Sequence, residues 1–417
     1  MMGELRRLSR SLLFLYGGTI VTRMGAFVFP YLTIYLSESR GLGLDYVGLI
    51  LSTGSVGLLC GNFAGGWLAD RWSRKWTLIL ALLVNALGFA GLAFDFEWSG
   101  HYGLCLVIGY FGSGMYNPAA NTLIADLTDE STRPFAYTVN YVCVNIGMAL
   151  GPLLGGFLAA VAYRWIFVGD VLTSLVCAAL ICVGVKEGAK SAPSEQVAVK
   201  RRSSQPVWLR HPLVLAFCLA YFFLICPLMG LEYVVPLLVK KTFSSSLVYV
   251  GIIYTINAVC ILSFSFVIEK SIRGWNELHG MIVAGIFWGA GLAILWVGYS
   301  IPALLICTVV WTMGEILASI IVPTFIAARV EHEVKGRFLA LNDIVRSFAG
   351  VLCPIGLGLL WKHRGPTGAL SVLTVLPFIA IAAYFVILLV ERSRWGVDSR
   401  ATAMAHSESP MSETQIT

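Results

Sequence analysis

The sequence predicts an all-α membrane protein: twelve transmembrane helices arranged as two pseudo-symmetric six-helix bundles. Four observations carry this prediction. The chain of 417 residues is 58% hydrophobic and only 12% charged, with a mean hydropathy of +0.80. A soluble domain coats its surface with about 25% charged residues, twice what is present. The apolar residues are gathered into twelve long runs, the basic residues lie almost all on one side of those runs, and the two halves of the chain repeat one another.

The twelve apolar runs, numbered spans 1 to 12, lie near 12–36, 45–69, 76–95, 101–126, 134–162, 164–185, 211–239, 246–269, 275–298, 301–329, 336–362 and 366–390. A helix rising about 1.5 Å per residue needs ~20 apolar residues to cross a ~30 Å hydrocarbon layer, and each run meets that length. The runs are continuous rather than alternating, so they read as helices and not as barrel strands. Span 1 is too long for a secretory signal and has no small-residue cleavage site after it, so it is expected to stay as an anchor.

Charge gives the orientation. With the N-terminus taken as inside, 21 of the 29 Lys and Arg fall on the inner side, 6 on the outer side, and Arg23 and Arg346 within spans. This is the positive-inside pattern, and it places both termini in the cytoplasm of a cell that carries the chain in its inner or plasma membrane. The net charge of +6 is therefore a topology signal, and no nucleic-acid partner is implied. All ten cysteines fall in apolar spans without a C-x-x-C pair, which suits packing rather than a disulfide or metal framework. No metal or other cofactor is expected, and the chain is expected to act as a monomer in the bilayer.

Residues 186–210 are rich in Ser, Pro, Lys and Arg and divide the chain into an N-terminal bundle (1–185) and a C-terminal bundle (211–395). Residues 396–417 read as a disordered cytoplasmic tail. Across this division Asp70-Arg71…Arg74 after span 2 is echoed by Glu269-Lys270…Arg273 after span 8. Pro118…Arg133…Pro152 is echoed by Pro323…Arg337…Pro354. Two echoes in register argue for a duplicated module, the architecture of secondary transporters.

The stretch Gly66-Trp67-Leu68-Ala69-Asp70-Arg71-Trp72-Ser73-Arg74-Lys75 joins spans 2 and 3. It resembles the signature loop of the major facilitator superfamily, with Ser73 at a position usually held by glycine. The resemblance covers about 12–390. It implies a gate in which Gly66 permits close helix approach, Asp70 pairs with the N-terminal end of span 11, Arg71 sits at the lipid surface, and Arg74 pairs with Asp126. Span 5 contains Gly147-x-x-x-Gly151-Pro152-x-x-Gly155-Gly156, similar to the motif of family members that export by antiport, although Thr138 replaces one glycine. Close packing of this segment is expected against the other half, at span 8. The fourth-span arginine of many drug exporters is missing from Val107-Ile108-Gly109-Tyr110.

A charge at the centre of a membrane helix costs ~2.5–3.5 kcal/mol on insertion scales, so such residues face a cavity or each other. Arg23, Glu232 and Glu315 lie on spans 1, 7 and 10, which line the central cavity in this fold, and are expected to converge as the proton-coupling group, with Asp170 of span 6 as a further candidate. Asp343 and Arg346, three residues apart on span 11, read as a local structural pair. Phe27, Tyr31, Tyr116, Asn117, Asn145, Tyr233, Tyr254, Asn257 and Trp311 are candidate substrate contacts, although most membrane aromatics simply pack. The expectation is a proton-coupled exporter of small amphipathic compounds. The alternatives are a transporter of one specific metabolite, such as a sugar, siderophore or amino acid, and, remotely, a membrane-embedded sensor or enzyme. No phosphate-binding G-x-x-x-x-G-K-[ST] is present for ATP-driven transport.

Overall fold

The structure is a computed structural model that describes residues 8–25, 28–94, 98–129, 132–186, 207–242 and 247–407. The described residues form helices and no strands. Span 1 is helical over Arg10–Gly25 and Val28–Ile34, on either side of residues 26–27, which lie outside the described residues, and is followed by a π-helical turn, Tyr35–Ser39. Spans 2 to 6 are Leu44–Arg71, Arg74–Leu92, Gly100–Asp126, Arg133–Val161 and Arg164–Gly184. Spans 7 to 10 are Pro212–Thr242, Val248–Ser271, Glu277–Val297 and Ile301–Arg329. Spans 11 and 12 form one helical run, His332–Ser407, kinked at Gly365, where φ is +65° and only glycine is at ease. This run continues past residue 395, and most of the 186–210 linker lies outside the described residues.

Nine of the described helices are long and apolar enough to cross a membrane. Span 1 is described only on either side of residues 26–27, spans 11 and 12 count as one, and span 4 is diluted by Gly, Tyr and Asn. Ser73, the departure from the loop motif, has a structural reason. Its backbone is extended, and its Oγ accepts the Trp76 N–H at 3.3 Å, so it caps the start of span 3.

Within the first bundle, span 2 lies against span 4 along a stripe of Gly57, Gly61 and Gly65, where an added side chain would strike the backbone of Val107, Phe111 and Met115. Gly66, the glycine singled out by the loop motif, sits one residue off this stripe and meets only Pro118 at an ordinary 3.8 Å. The close approach expected of Gly66 therefore belongs to Gly65, because i, i+4 spacing keeps 57, 61 and 65 on one face.

The two bundles meet at the end opposite the basic loops. Ser52 Oγ donates to the Val351 carbonyl at 2.6 Å and Ser55 Oγ to the Gly350 carbonyl at 2.9 Å. Pro354 has no N–H to offer the Gly350 carbonyl four residues back, so that oxygen is free to accept from span 2. Tyr233 Oη donates to the Leu44 carbonyl at 2.8 Å, and Thr255 Oγ1 to the Ala149 carbonyl at 2.8 Å. Two ion pairs, Asp45–Lys362 at 2.8 Å and Glu38–Lys240 at 3.3 Å, close the same end. At the basic end, Asp70 and Arg71 are exposed, as are Phe264, Phe266 and Val267 of span 8.

Candidate functional site

Charged residues gather on the inner walls of the C-terminal bundle. Glu232, in the final third of span 7, is exposed between buried Leu231 and Tyr233. Glu315 of span 10 is half-buried and accepts a hydrogen bond from Asn257 Nδ2 at 2.9 Å; the same amide bonds Thr312 Oγ1 at 2.9 Å. The basic group acting on both glutamates, and on Asp343, is Arg346. Arg346 is exposed. The direct link in this region is between spans 8 and 10, through Asn257 and Glu315, while Arg346 acts on the acids through space and makes no ion pair with them among the described residues.

Arg23 does not join this cluster. Its Nη2 donates to Asn117 Oδ1 on span 4, beside Tyr116 and Cys177 in the N-terminal bundle. The expected convergence of Arg23 with Glu232 and Glu315 is not what the hydrogen bonds show: Arg23 bonds Asn117, and the positive charge acting on the two glutamates is Arg346. Spacing along one helix says which residues share a face, and it does not say which neighbouring helix that face meets. Asp170 is 5% exposed, its Oδ1 has no hydrogen-bond partner, and it sits against Gly25 of span 1. It lies one turn from Ser174, whose hydroxyl bonds Asn85 Oδ1 at 2.8 Å.

The candidate substrate contacts divide. Tyr31 donates to the Pro152 carbonyl at 2.7 Å, Tyr233 to Leu44, and Tyr116 shares a 3.1 Å bond with Thr19. Asn145 donates to Tyr141 at 2.8 Å, and Trp311 stacks on Trp288 with ring centroids 4.9 Å apart. These five are buried and engaged in packing. Asn117, Tyr254 and Asn257 are exposed or half-buried among the charged groups, while Phe27 lies outside the described residues. A shallow apolar hollow between spans 2 and 4, lined by Leu49, Thr53, Leu104 and Val107, includes none of these charged residues.

The gate residues at the basic end are only partly engaged. Arg74 Nε lies 2.8 Å from Asp126 Oδ2, joining the start of span 3 to the end of span 4. Lys75 Nζ donates to the Cys182 carbonyl at 2.7 Å at the end of span 6, and the Arg71 guanidinium lies 5.1 Å from the Trp67 ring. Among the described residues no hydrogen bond or ion pair joins Asp70 to span 11. The C-terminal bundle repeats the span 3–span 4 link with the signs exchanged: Glu277 at the start of span 9 pairs at 3.1 Å with Arg329 at the end of span 10. Arg329 also pairs at 3.0 Å with Glu391 of span 12. Sequence reading missed this triad, although the equivalence of the two halves pointed to it.

The span 5 glycines have two partners. Side chains at Gly147 and Gly151 would strike Arg23, Ile20 and Met24 of span 1. Gly156 faces Val248 and Pro152 faces Gly251, both of span 8 in the other half, and Gly155 is buried. The expectation that the whole motif packs on span 8 is thus corrected for Gly147 and Gly151. They sit on the helix face turned inward to their own bundle.

Two six-helix halves, joined at one end and lined with charge between them, match a known family. The model of the Major Facilitator Superfamily matches residues 15–354. The chain belongs to the major facilitator superfamily. The family is one of multi-pass membrane transporters, not enzymes. The chain is 25% identical to the uncharacterized MFS-type transporter YqjV of Bacillus subtilis over 88% of this chain and 92% of that protein. It is 24% identical to a Na(+), Li(+), K(+)/H(+) antiporter of Planococcus maritimus (79% and 84% covered), and 21% identical to the multidrug resistance protein MdtH of Aeromonas salmonicida (88% and 91%). In fold it is similar to a bacterial homolog of the human lysosomal transporter Spinster in its inward-facing, unoccupied conformation. That match has a TM-score of 0.68 at 15% identity over 94% of this chain and 96% of the other.

Proposed function

We propose that this protein is a proton-coupled secondary transporter of the cell membrane that exports small amphipathic compounds by alternating access, with both termini cytoplasmic. The observation that carries the reading is the combination of a sealed non-basic end with the Glu232, Glu315 and Arg346 cluster on the walls between the halves. In this reading the basic end is cytoplasmic and the structure corresponds to the inward-facing state. A carboxylate whose distance from a cation changes between two conformations takes up and releases a proton as the protein moves. Arg346 on span 11 supplies such a cation, because span 11 also forms the seal with span 2 and must shift when that seal opens. Asp170 is a second proton-carrying candidate. The antiporter and multidrug names of two distant relatives agree with export against protons.

The density of charge, three acids around one arginine with Arg23 on the facing bundle, supports a second reading, transport of one specific charged metabolite. A resistance and accumulation screen in cells with and without the protein, repeated with a proton uncoupler, separates the two. Export of several unrelated amphipathic compounds, abolished by the uncoupler, is expected. Movement of a single metabolite favours the second reading.

A further inference from the structure

Two cysteine–proline dipeptides meet inside the C-terminal bundle. Cys226 precedes Pro227 in span 7, and Cys353 precedes Pro354 in span 11. Each proline removes a backbone hydrogen bond, so both helices are weakened at the level of the sulfurs. The Cys353 thiol donates to the Cys226 carbonyl at 3.4 Å, which sets the two cysteines side by side across spans 7 and 11. Both are free and buried. One turn further along span 7, the Met229 thioether sulfur lies 3.8 Å from where a Cβ would stand on Gly350 of span 11. Three soft sulfur atoms thus follow one seam between the two helices.

The seam is separate from the charged cluster and backs onto the wall between the halves. The carbonyls of Gly350, Val351 and Pro354, on the same stretch of span 11, face Ser55, Ser52 and Gly48 of span 2. A ligand that joined spans 7 and 11 at this point would therefore act on the segment that must part from span 2. Thiols favour soft acceptors, and two of them held side by side bind the second time within one molecule, at high effective concentration.

We propose that Cys226 and Cys353 form a dithiol site that takes one trivalent arsenical, bridging span 7 to span 11 at their prolines. The arsenic of an arsenoxide forms two As–S bonds, and its oxygen leaves as water with the two thiol protons. Arsenic stays trivalent, so no oxidant or reductant takes part. The bridge ties together two helices that are locally open at Pro227 and Pro354, and so stiffens the bundle.

The test uses the purified full-length protein with one equivalent of phenylarsine oxide, followed by excess monothiol to clear singly attached reagent. Intact mass should show one phenylarsenic adduct on the native chain, stable to monothiol and removed by a dithiol. The thermal midpoint should rise by several degrees. Cys226→Ser and Cys353→Ser should each lose both the adduct and the shift. Cys226→Ala and Cys353→Ala give the same readout if a serine variant fails to fold. No stable adduct on the native chain, or an adduct that survives either substitution, overturns the proposal.

Discussion

Lys362 Nζ stands 2.8 Å from Asp45 Oδ2, and this ion pair ties span 11 to span 2 across the two bundles. On the same helix, about 37 Å away at ~1.5 Å per residue, Asp70 is exposed and joined to nothing in span 11 among the described residues. Span 2 thus holds span 11 at the non-basic end. In the proposed cycle the two ends alternate, and Asp70 engages span 11 only when Asp45 has let go.

Asp70→Asn should therefore largely abolish transport while expression and membrane insertion stay intact, because one charge is lost from a loop whose neighbours still set topology. The helix-end attraction it removes is ~0.3–1 kcal/mol when exposed and more when partly buried, enough to bias a two-state equilibrium. Transport assays on membranes with matched protein levels check this; a near-native rate would remove Asp70 from the gate.

Asp45→Asn or Lys362→Gln should act in the opposite sense and raise the population open at the non-basic end. The pair is solvent-exposed, so the effect should fade at high salt. Labelling rates of a cysteine placed at Gly350, under the seal, where an added Cβ meets Ser55 Oγ at an ordinary 3.4 Å, measure it. An unchanged rate in both variants would mean that the hydrogen bonds of Ser52 and Ser55 hold the seal alone.

Much of the fold was legible because burial in lipid writes itself plainly: twelve apolar runs, a one-sided basic charge and a polar linker fix an all-helical, two-bundle chain. Of the gate residues, Arg74 was paired in advance with Asp126, and the structure puts them at 2.8 Å. What failed was helix facing. The motif points Gly151 to span 8, but it meets span 1; Gly66 stands beside the stripe that Gly65 completes; and Arg23, expected beside Glu232 and Glu315, bonds Asn117. In each case the sequence places a residue on its own helix to within a few degrees, while its partner depends on how neighbouring helices rotate. The exchange of sign between Arg74–Asp126 and Glu277–Arg329 shows why a motif search passed over the second pair.

Glu232→Gln and Glu315→Gln should uncouple transport from the proton gradient while substrate binding survives. Arg346→Ala should do more damage than either, because it leaves three acids without their shared cation. Arg23→Ala should spare coupling and weaken only its bond to Asn117. Uphill transport and equilibrium binding, measured side by side, distinguish these outcomes. Normal coupling in both Gln variants would move the proton site to Asp170.

Gly151→Leu and Gly156→Leu should fail differently. Overpacking costs ~1–3 kcal/mol; at Gly151 it falls between spans 1 and 5 of one bundle and should lower the thermal midpoint. At Gly156 it falls between spans 5 and 8 and should open the sealed end with less loss of stability. Thermal melts paired with labelling at Gly350 check the distinction, and identical behaviour of the two variants would refute it.

The most direct test of proton-coupled export is the direction of movement against an imposed pH gradient. The protein is reconstituted in vesicles, and a permanently charged quaternary ammonium compound that emerges from the resistance screen is followed, so that passive trapping of a weak base plays no part. Antiport predicts accumulation in the acidic compartment, opposite to the flow of protons, and loss of that accumulation in Glu315→Gln. Accumulation in the alkaline compartment, in step with protons, would contradict the account and make the protein an importer.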